Sequence, residues 1–467
     1  MSAGTAAAAM RQSRLGRSAA LARLALRIGG RYLARSPRLI FASVERRREL
    51  RHDLAFRTAD DVAEELGAMK GVLMKLGQMA SYIYEDMPLT FRAAMSRLQH
   101  RAPPMTPDLA ASVIQEELGA RPDQVFSEWD PLPFAAASIG QVHRAITRDG
   151  RAVAVKVQYP GIARSITSDL RNVGLLRRVV AAAFPGFDVN TFVDEVAVRL
   201  REEVDYVREA ESQEMFARYY DGHPVIRVPH VVPALSTARV LTSELVSGSS
   251  FDEILTWPQQ ERDLAAETIH RFVFRSLYRL HAFNGDPHPG NYLFHGEGRV
   301  TFLDFGLTKL FTDDDLAPLV DAVRFLVFEK DYEGFRGSLE KAGFLKPGAA
   351  VSTDVVVDRF GQFYGTVLQD APMTITPEYA SAIVRRFFDA RGPLAPYSDV
   401  PREYVIMQRI NLGLYAVLGS LHATANWRRI AEEIWPFRNG PPSTPIGEAE
   451  ARWESAHSKE AQKVLKN

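Results

Sequence analysis

Residues 286–306 read DPHPGNYLFHGEGRVTFLDFG, and this stretch constrains the fold more than any other. A proline-stiffened turn leads into a short hairpin, and the second apolar run, TFL, ends on Asp304-Phe-Gly. Asp286 and Asn291 stand five residues apart, and Asp304 follows a strand, so three oxygen-bearing side chains are set at the ends of short β elements. Taken singly, each piece has a plain reading. An Asp-Phe-Gly triplet arises by chance, Asp-Pro-His-Pro-Gly can be a rigid turn, and His288 can be a surface or capping residue. His288 and His295 lack a third ligand at sensible spacing, which argues against a metal site built on them.

The order of the pieces says more. Upstream, PFAAASIGQVHRAITRDGRAVAVKVQYPG alternates Val153, Val155 and Val157 behind a turn at Arg148–Gly150, the pattern of a β-hairpin, and carries Lys156 on its second strand. Then come a charged helical stretch around Glu209, the DPHPGN loop and LDFG. Phosphoryl transfer asks a protein for a cation on the α- and β-phosphates, carboxylate and amide oxygens on Mg²⁺, and a carboxylate near the attacking oxygen. Lys156 supplies the first, Asn291 and Asp304 the second, and Asp286 the third. In LTSELVSGSSFDEIL a strand ends at Glu244 and leads through Gly248 to a helix, so the backbone at Glu244 and Val246 is placed to read an adenine edge. The joint order points to a kinase-type nucleotide site, although as single positions Lys156 also suits an edge strand and Glu244 an ordinary connection.

Composition sets the bounds. A chain of 467 residues with 46% hydrophobic and 24% charged content is expected to fold as two or three globular units. Net charge is zero, so no global field favours nucleic acid, and the absence of cysteine excludes disulfides and thiolate chemistry. No run of about 18 uncharged apolar residues marks a membrane-spanning helix. Residues 1–52 are the one charge asymmetry: eight arginines from Arg11 to Arg38 precede the first acidic residue, Glu45. Their spacing suits a basic helix on anionic lipid, and equally a solvated helix or disordered arm, while the composition also resembles an organelle transit peptide. Helical periodicity is expected over 53–100, over 162–183 and over 191–219. From Asn439 the chain is polar and contains proline, which predicts a loosely held tail.

Two features set this chain apart from an ordinary protein kinase. Only LTKLFT separates Asp304-Phe-Gly from DDDLAPLVDAVRFLVF, a capped helix, so there is no room for a long activation segment. The phosphate-loop position holds Ala135, Ala136, Ala137 and Ser138 in place of glycines, which predicts a stiffer loop.

With KLGQ at 75–78, AAAS at 135–138, VAVK at 153–156, EVDYVREA at 203–210, DPHPGN and DFG, residues 55–330 resemble the UbiB (AarF-domain) atypical kinases. The resemblance implies an α+β, bilobal protein-kinase-like fold, with a helical extension over 53–130, an N-lobe with a helical insertion over 131–247, a mostly helical C-lobe over 248–438 and the polar tail over 439–467. It also implies that Lys75 and Gln78 lie on a helix folded across the active site, that Glu203 and Asp205 pair with that lysine, and that Glu209 faces Lys156. The residues alone leave Glu209, Glu195 and Glu202 equal for that last role. One departure from the family is Asn284-Gly285 before Asp286, expected to affect packing beneath Asp286 more than metal binding.

The leading expectation is therefore an ATP- (or ADP-) and Mg²⁺-binding atypical kinase or ATPase. The resemblance implies a role in isoprenoid quinone or related lipid metabolism. Its expected partners are the nucleotide, an anionic membrane surface and lipid- or quinone-biosynthesis proteins, in the cytoplasm or at a membrane surface, with organelle targeting left open. A small-molecule kinase of the aminoglycoside or choline type and a nucleotide-binding scaffold with little turnover are the alternatives.

Overall fold

A computed structural model describes residues 105–137, 139–162, 204–285, 287–387, 394, 396–398, 401, 404 and 413–464. Lys75, Gln78, Ser138, Glu203 and Asp286 lie outside the described residues, as do the arginine-rich segment, the helices expected over 53–100 and nearly all of 162–183. Two compact units are present, one comprising Met1–Val207 with Pro233–Thr242, the other Arg208–Val232 with Ser243–Asn467. Residues 208–232 belong to the second because Phe216, Tyr220 and Ile226 are buried in its apolar core.

In the first unit, α1 (Pro107–Leu118) starts on a proline whose missing N–H has no partner to lose at that position. After α2 (Pro122–Val125), the strands β1 (Phe126–Trp129), β2 (Ala135–Ala137), β3 (Gly140–Thr147) and β4 (Ala152–Gln158) follow. The hairpin expected around Arg148–Gly150 is β3–β4, antiparallel, with Val142 opposite Lys156 and Ala145 opposite Val153. β6 (Val240–Glu244) lies beside β4, giving the order β1-β3-β4-β6 with β2 paired to β3. Val153, Val155 and Val157 are buried, as the alternation requires, and α1 adds Ala110, Val113 and Ile114 to the same unit's core. Arg239, just before β6, binds Glu117 at 2.7 Å and Glu116 at 2.9 Å on α1.

The helix expected over 191–219 differs in its described part. It begins at Tyr206 as α3 (Tyr206–Tyr219), while Val204 sits in a turn and Asp205 immediately precedes the first helical residue. Just ahead of it the Gln158 side chain donates to the Val204 carbonyl at 3.1 Å.

The second unit is mostly helical. A three-stranded sheet pairs β5 (Ile226–Arg227) in parallel with β9 (Val300–Phe302), and β9 antiparallel with β8 (Tyr292–Phe294). A two-stranded ribbon joins β7 (Ala282–Asn284) to β10 (Thr308–Leu310). The helix start expected after Gly248 is α4 (Phe251–Ile254), capped by Ser250 with Glu253 in a capping box. The buried α5 (Gln259–Arg279) then runs through the core. The capped helix expected after LTKLFT is α6 (Asp313–Val323), with Thr312 and Asp315 as its capping box. There follow α7 (Tyr332–Lys341), α8 (Thr353–Gly361), α9 (Pro377–Phe387) and α10 (Trp427–Ile434), with β11 (Met373–Thr374) paired to β12 (Thr424–Ala425). No helix among the described residues is long and apolar enough to cross a membrane.

The polar end of the chain corrects the expectation of a loose tail. Residues Pro445–Val464 form α11, which buries Ile446, Glu450 and Trp453. Arg271, a fully buried arginine on α5, binds Glu267, Glu433 and Glu450, each at 2.8 Å, and Arg275 reaches Glu454 at 3.1 Å and Glu450 at 3.7 Å. His223 lies 3.1 Å from Glu450, and the Trp453 indole donates to the Asp221 carbonyl at 2.9 Å. Burial alone would push the Glu450 carboxyl up, but His223, Arg275 and Arg271 together hold it at about 2. Removing one member of such a buried set costs about 3 kcal/mol, so Glu450→Gln should lower unfolding stability by that order in a denaturant titration. The native chain should also lose stability as pH falls from about 4.5 towards about 2, because the unfolded Glu450 takes a proton before the folded one does. Glu450→Gln should flatten that part of the profile.

Candidate functional site

In the first unit, the strand order puts three small elements around Lys156. Ala135 is opposite Val142 and Val142 is opposite Lys156, so these three side chains share one face of the sheet. The stretch expected to be a phosphate loop is thus strand β2 through Ala137, with Ala135 and Ala136 exposed and Ala137 half-buried. Lys156 is half-buried, and its Nζ lies 5.0 Å from the centre of the Tyr206 ring, within cation–π range. Tyr206 is fully buried and was not singled out from the sequence. Gly140 explains the local crowding: a Cβ there would collide with the Val157 carbonyl and meet the Tyr206 hydroxyl at 3.0 Å. Asp205 adjoins this cluster in sequence, with the preceding carbonyl held by Gln158.

The second unit brings two of the expected acidic residues together. Glu209, on the first turn of α3, is only 3% exposed. A methyl group on Gly306 would lie 3.4 Å from Asp304 Oδ1 and 3.6 Å from Glu209 Oε2, so both carboxylates border one small space. Asp304 Oδ1 accepts from the Gly306 N–H at 3.0 Å. Asn291 is tied to the same place through its backbone: its carbonyl accepts from Leu303 N–H at 3.0 Å, continuing the β8–β9 register that sets Tyr292 opposite Phe302. His288 is a capping residue here, its Nδ1 accepting from Gly290 N–H at 3.0 Å while its carbonyl accepts from Asn291 N–H at 2.9 Å. Gly285 donates to the Leu307 carbonyl at 3.1 Å, which fixes the chain just before position 286.

Asn284 is the residue whose part the sequence reading understated. Its side-chain amide donates to the Asp304 carbonyl at 2.7 Å, so the Asn-Gly departure bears on the backbone that presents Asp304 as well as on packing. The signal available in the sequence was an amide two residues before Asp286, but nothing local indicated its partner twenty residues on. Glu244 ends β6. Its N–H donates to His230 O at 3.0 Å and its carboxylate lies 3.5 Å from Arg227, which leaves the carbonyl as the backbone group it can offer a ligand. Val246 is half-buried on the connection that follows.

A carboxylate as buried as Glu209 keeps its charge only beside a cation or within a donor network, and a second carboxylate at the same space strengthens that requirement. Asp304 and Asn291 are hard oxygen donors of the type Mg²⁺ accepts, with the remainder of its shell drawn from phosphate and water. The residues present therefore fit a magnesium–nucleotide complex. Asn284→Ala removes one hydrogen bond worth about 1 kcal/mol, so Mg²⁺-dependent nucleotide binding should weaken about fivefold while the melting temperature stays near that of the native chain. Titration calorimetry on the two proteins checks this.

Comparison with known proteins bears on the family and the fold. The ABC1 atypical kinase-like domain matches residues 97–338. The mitochondrial atypical kinase COQ8 of Saccharomyces cerevisiae is 32% identical over 257 residues, covering 55% of this chain and 51% of that protein. The chloroplastic protein ACTIVITY OF BC1 COMPLEX KINASE 7 of Arabidopsis thaliana is 32% identical over 316 residues, covering 66% of this chain and 44% of its own. A Mycobacterium tuberculosis protein solved in complex with erythromycin is 31% identical, with a TM-score of 0.61, covering 84% of this chain and 99% of that one. The chain spans roughly half the length of the curated relatives it matches, 57% of one Synechocystis protein and 51% of the yeast kinase. With the matched domain covering more than half of its residues and a kinase-like α+β fold, the chain belongs to the ABC1 atypical kinase-like family, that of the UbiB or AarF-domain proteins.

Proposed function

We propose that this chain binds ATP (or ADP) with Mg²⁺ and acts as an atypical kinase or ATPase in isoprenoid quinone or related lipid metabolism. The observation that carries the reading is the pair of carboxylates, Glu209 and Asp304, bordering the space beside Gly306, with Asn291 tied by its backbone to Leu303. In this reading Asp304 and Asn291 hold the metal, which neutralises charge on the phosphates. Lys156 binds the α- and β-phosphates, and Glu209 orients Lys156. Asp286 positions the attacking oxygen. The backbone at Glu244 and Val246 reads the adenine, and Ala135 to Ser138 cover the phosphates. Lys75, Gln78, Glu203 and Asp205 are assigned to the element that keeps protein substrates out. The quinone context rests on kinship with COQ8, and an organelle or membrane-surface location rests on the mitochondrial and chloroplastic relatives.

Purified protein incubated with Mg²⁺-ATP, with and without anionic liposomes, should release phosphate, and Asp304→Asn should reduce that release to background. Nucleotide binding with no turnover under any condition would instead support a scaffold for a lipid-biosynthetic assembly. Phosphate appearing on an added small-molecule alcohol in place of water would support the small-molecule kinase.

The alanine strand makes a separate claim. Ala136→Gly and Ala137→Gly loosen the β2–β3 pairing next to the tight approach at Gly140. Each should shift the ratio of ADP to ATP affinity and raise phosphate incorporation into the chain itself. If affinity, preference and autophosphorylation all stay unchanged, the stiffness of β2 does not govern nucleotide choice.

A further inference from the structure

Tyr206 has no part in the roles assigned above, yet its place in the first unit ties it to a residue that has one. It is the first residue of α3 and is fully buried, in a core supplied mostly by aliphatic side chains such as Val113, Ile114, Val153, Val155 and Val157. The three valines alternate with Lys156 along β4, so the lysine leaves the opposite face of the sheet. There the Lys156 Nζ lies 5.0 Å from the centre of the Tyr206 ring.

The ring is set in place by groups other than the lysine. Gly140 stands opposite Gln158, two residues beyond Lys156 on β4 and therefore on the same face. A Cβ at Gly140 would lie 3.0 Å from the Tyr206 hydroxyl and would collide with the Val157 carbonyl, so the glycine leaves the ring its room. On the chain entering α3, the Val204 carbonyl accepts from the Gln158 side chain at 3.1 Å. Lys156 is the reverse case, a flexible stem carrying a compact charge. Ordering such a side chain at the moment of binding costs affinity, and a side chain ordered beforehand avoids that cost. The negative face of an aromatic ring attracts an ammonium, more strongly where water is partly excluded, as it is around the half-buried Lys156.

We propose that Tyr206 is a positioning residue for Lys156: its ring holds the ammonium in place before the nucleotide arrives, ready for the α- and β-phosphates. The inference rests on the nucleotide reading proposed above and adds to it the residue that orders the phosphate-binding cation.

Fluorinated phenylalanines in place of Tyr206 test it on the full chain, because fluorine drains negative charge from the face of the ring while changing its shape little. In titration calorimetry with Mg²⁺-ATP, Tyr206→Phe should bind within about twofold of the native chain. Difluoro- and pentafluorophenylalanine should bind progressively more weakly, the second by about fivefold, equivalent to about 1 kcal/mol. A ring that only fills space gives one affinity across the series, and that result, or tighter binding on fluorination, overturns the role of Tyr206. A second readout needs neither nucleotide nor a change at position 206. With lysine isotope-labelled at the ε-carbon, the Lys156 resonance, identified by its loss in Lys156→Arg, should lie upfield of the other lysines because of the ring current. An unshifted resonance overturns the proposal even where the fluorinated chains fail to fold. Failure of the nucleotide reading is told apart by the native chain. If that chain binds neither ATP nor ADP, the reading and the role fall together, whereas native binding that is indifferent to fluorination removes the role alone.

Discussion

The second unit is organised around a carboxylate that water hardly reaches. Glu209 is 3% exposed and shares the space beside Gly306 with Asp304. Two carboxylates at one space repel, and burial raises the cost, so their surroundings have to compensate. The nearby sequence follows from that demand. A methyl at position 306 would be in ordinary contact with both carboxylates, so the space beside Gly306 is bordered by each of them. The Asp304 carbonyl is held by Asn284, and one oxygen of its carboxylate by the Gly306 N–H. Backbone bonds from Leu303 to Asn291 and from Gly285 to Leu307 then fix both flanking loops.

Much of this was legible in the sequence because the chemistry is carried by local rules. Alternating valines put Lys156 on a strand beside a predictable turn, a capping box marked the helix after LTKLFT, and two histidine roles reduced to one cap. What was not legible depended on partners distant in the chain. Ile446, Glu450 and Trp453 are spaced as one helix face, yet a glutamate in the middle reads as solvent-facing. The buried Arg271 and Arg275, one helical turn apart on α5, and His223 before β5 turn that glutamate into an anchor. Likewise the Val204 carbonyl just before α3 is bonded by Gln158, nearly fifty residues upstream.

The alanine stretch also changes meaning when its pairing is known. A glycine-rich loop gains closeness to phosphate by backbone freedom. Here Ala135–Ala137 is held as a strand against β3, and the point of closest approach has moved to Gly140, pressed by Val157 and Tyr206. Alanine suits that arrangement: it is small enough for an edge strand and removes the conformational entropy that glycine would bring. Tyr206, in turn, lies within reach of the Lys156 ammonium, so the strand, the glycine and the lysine form one packed cluster in the first unit.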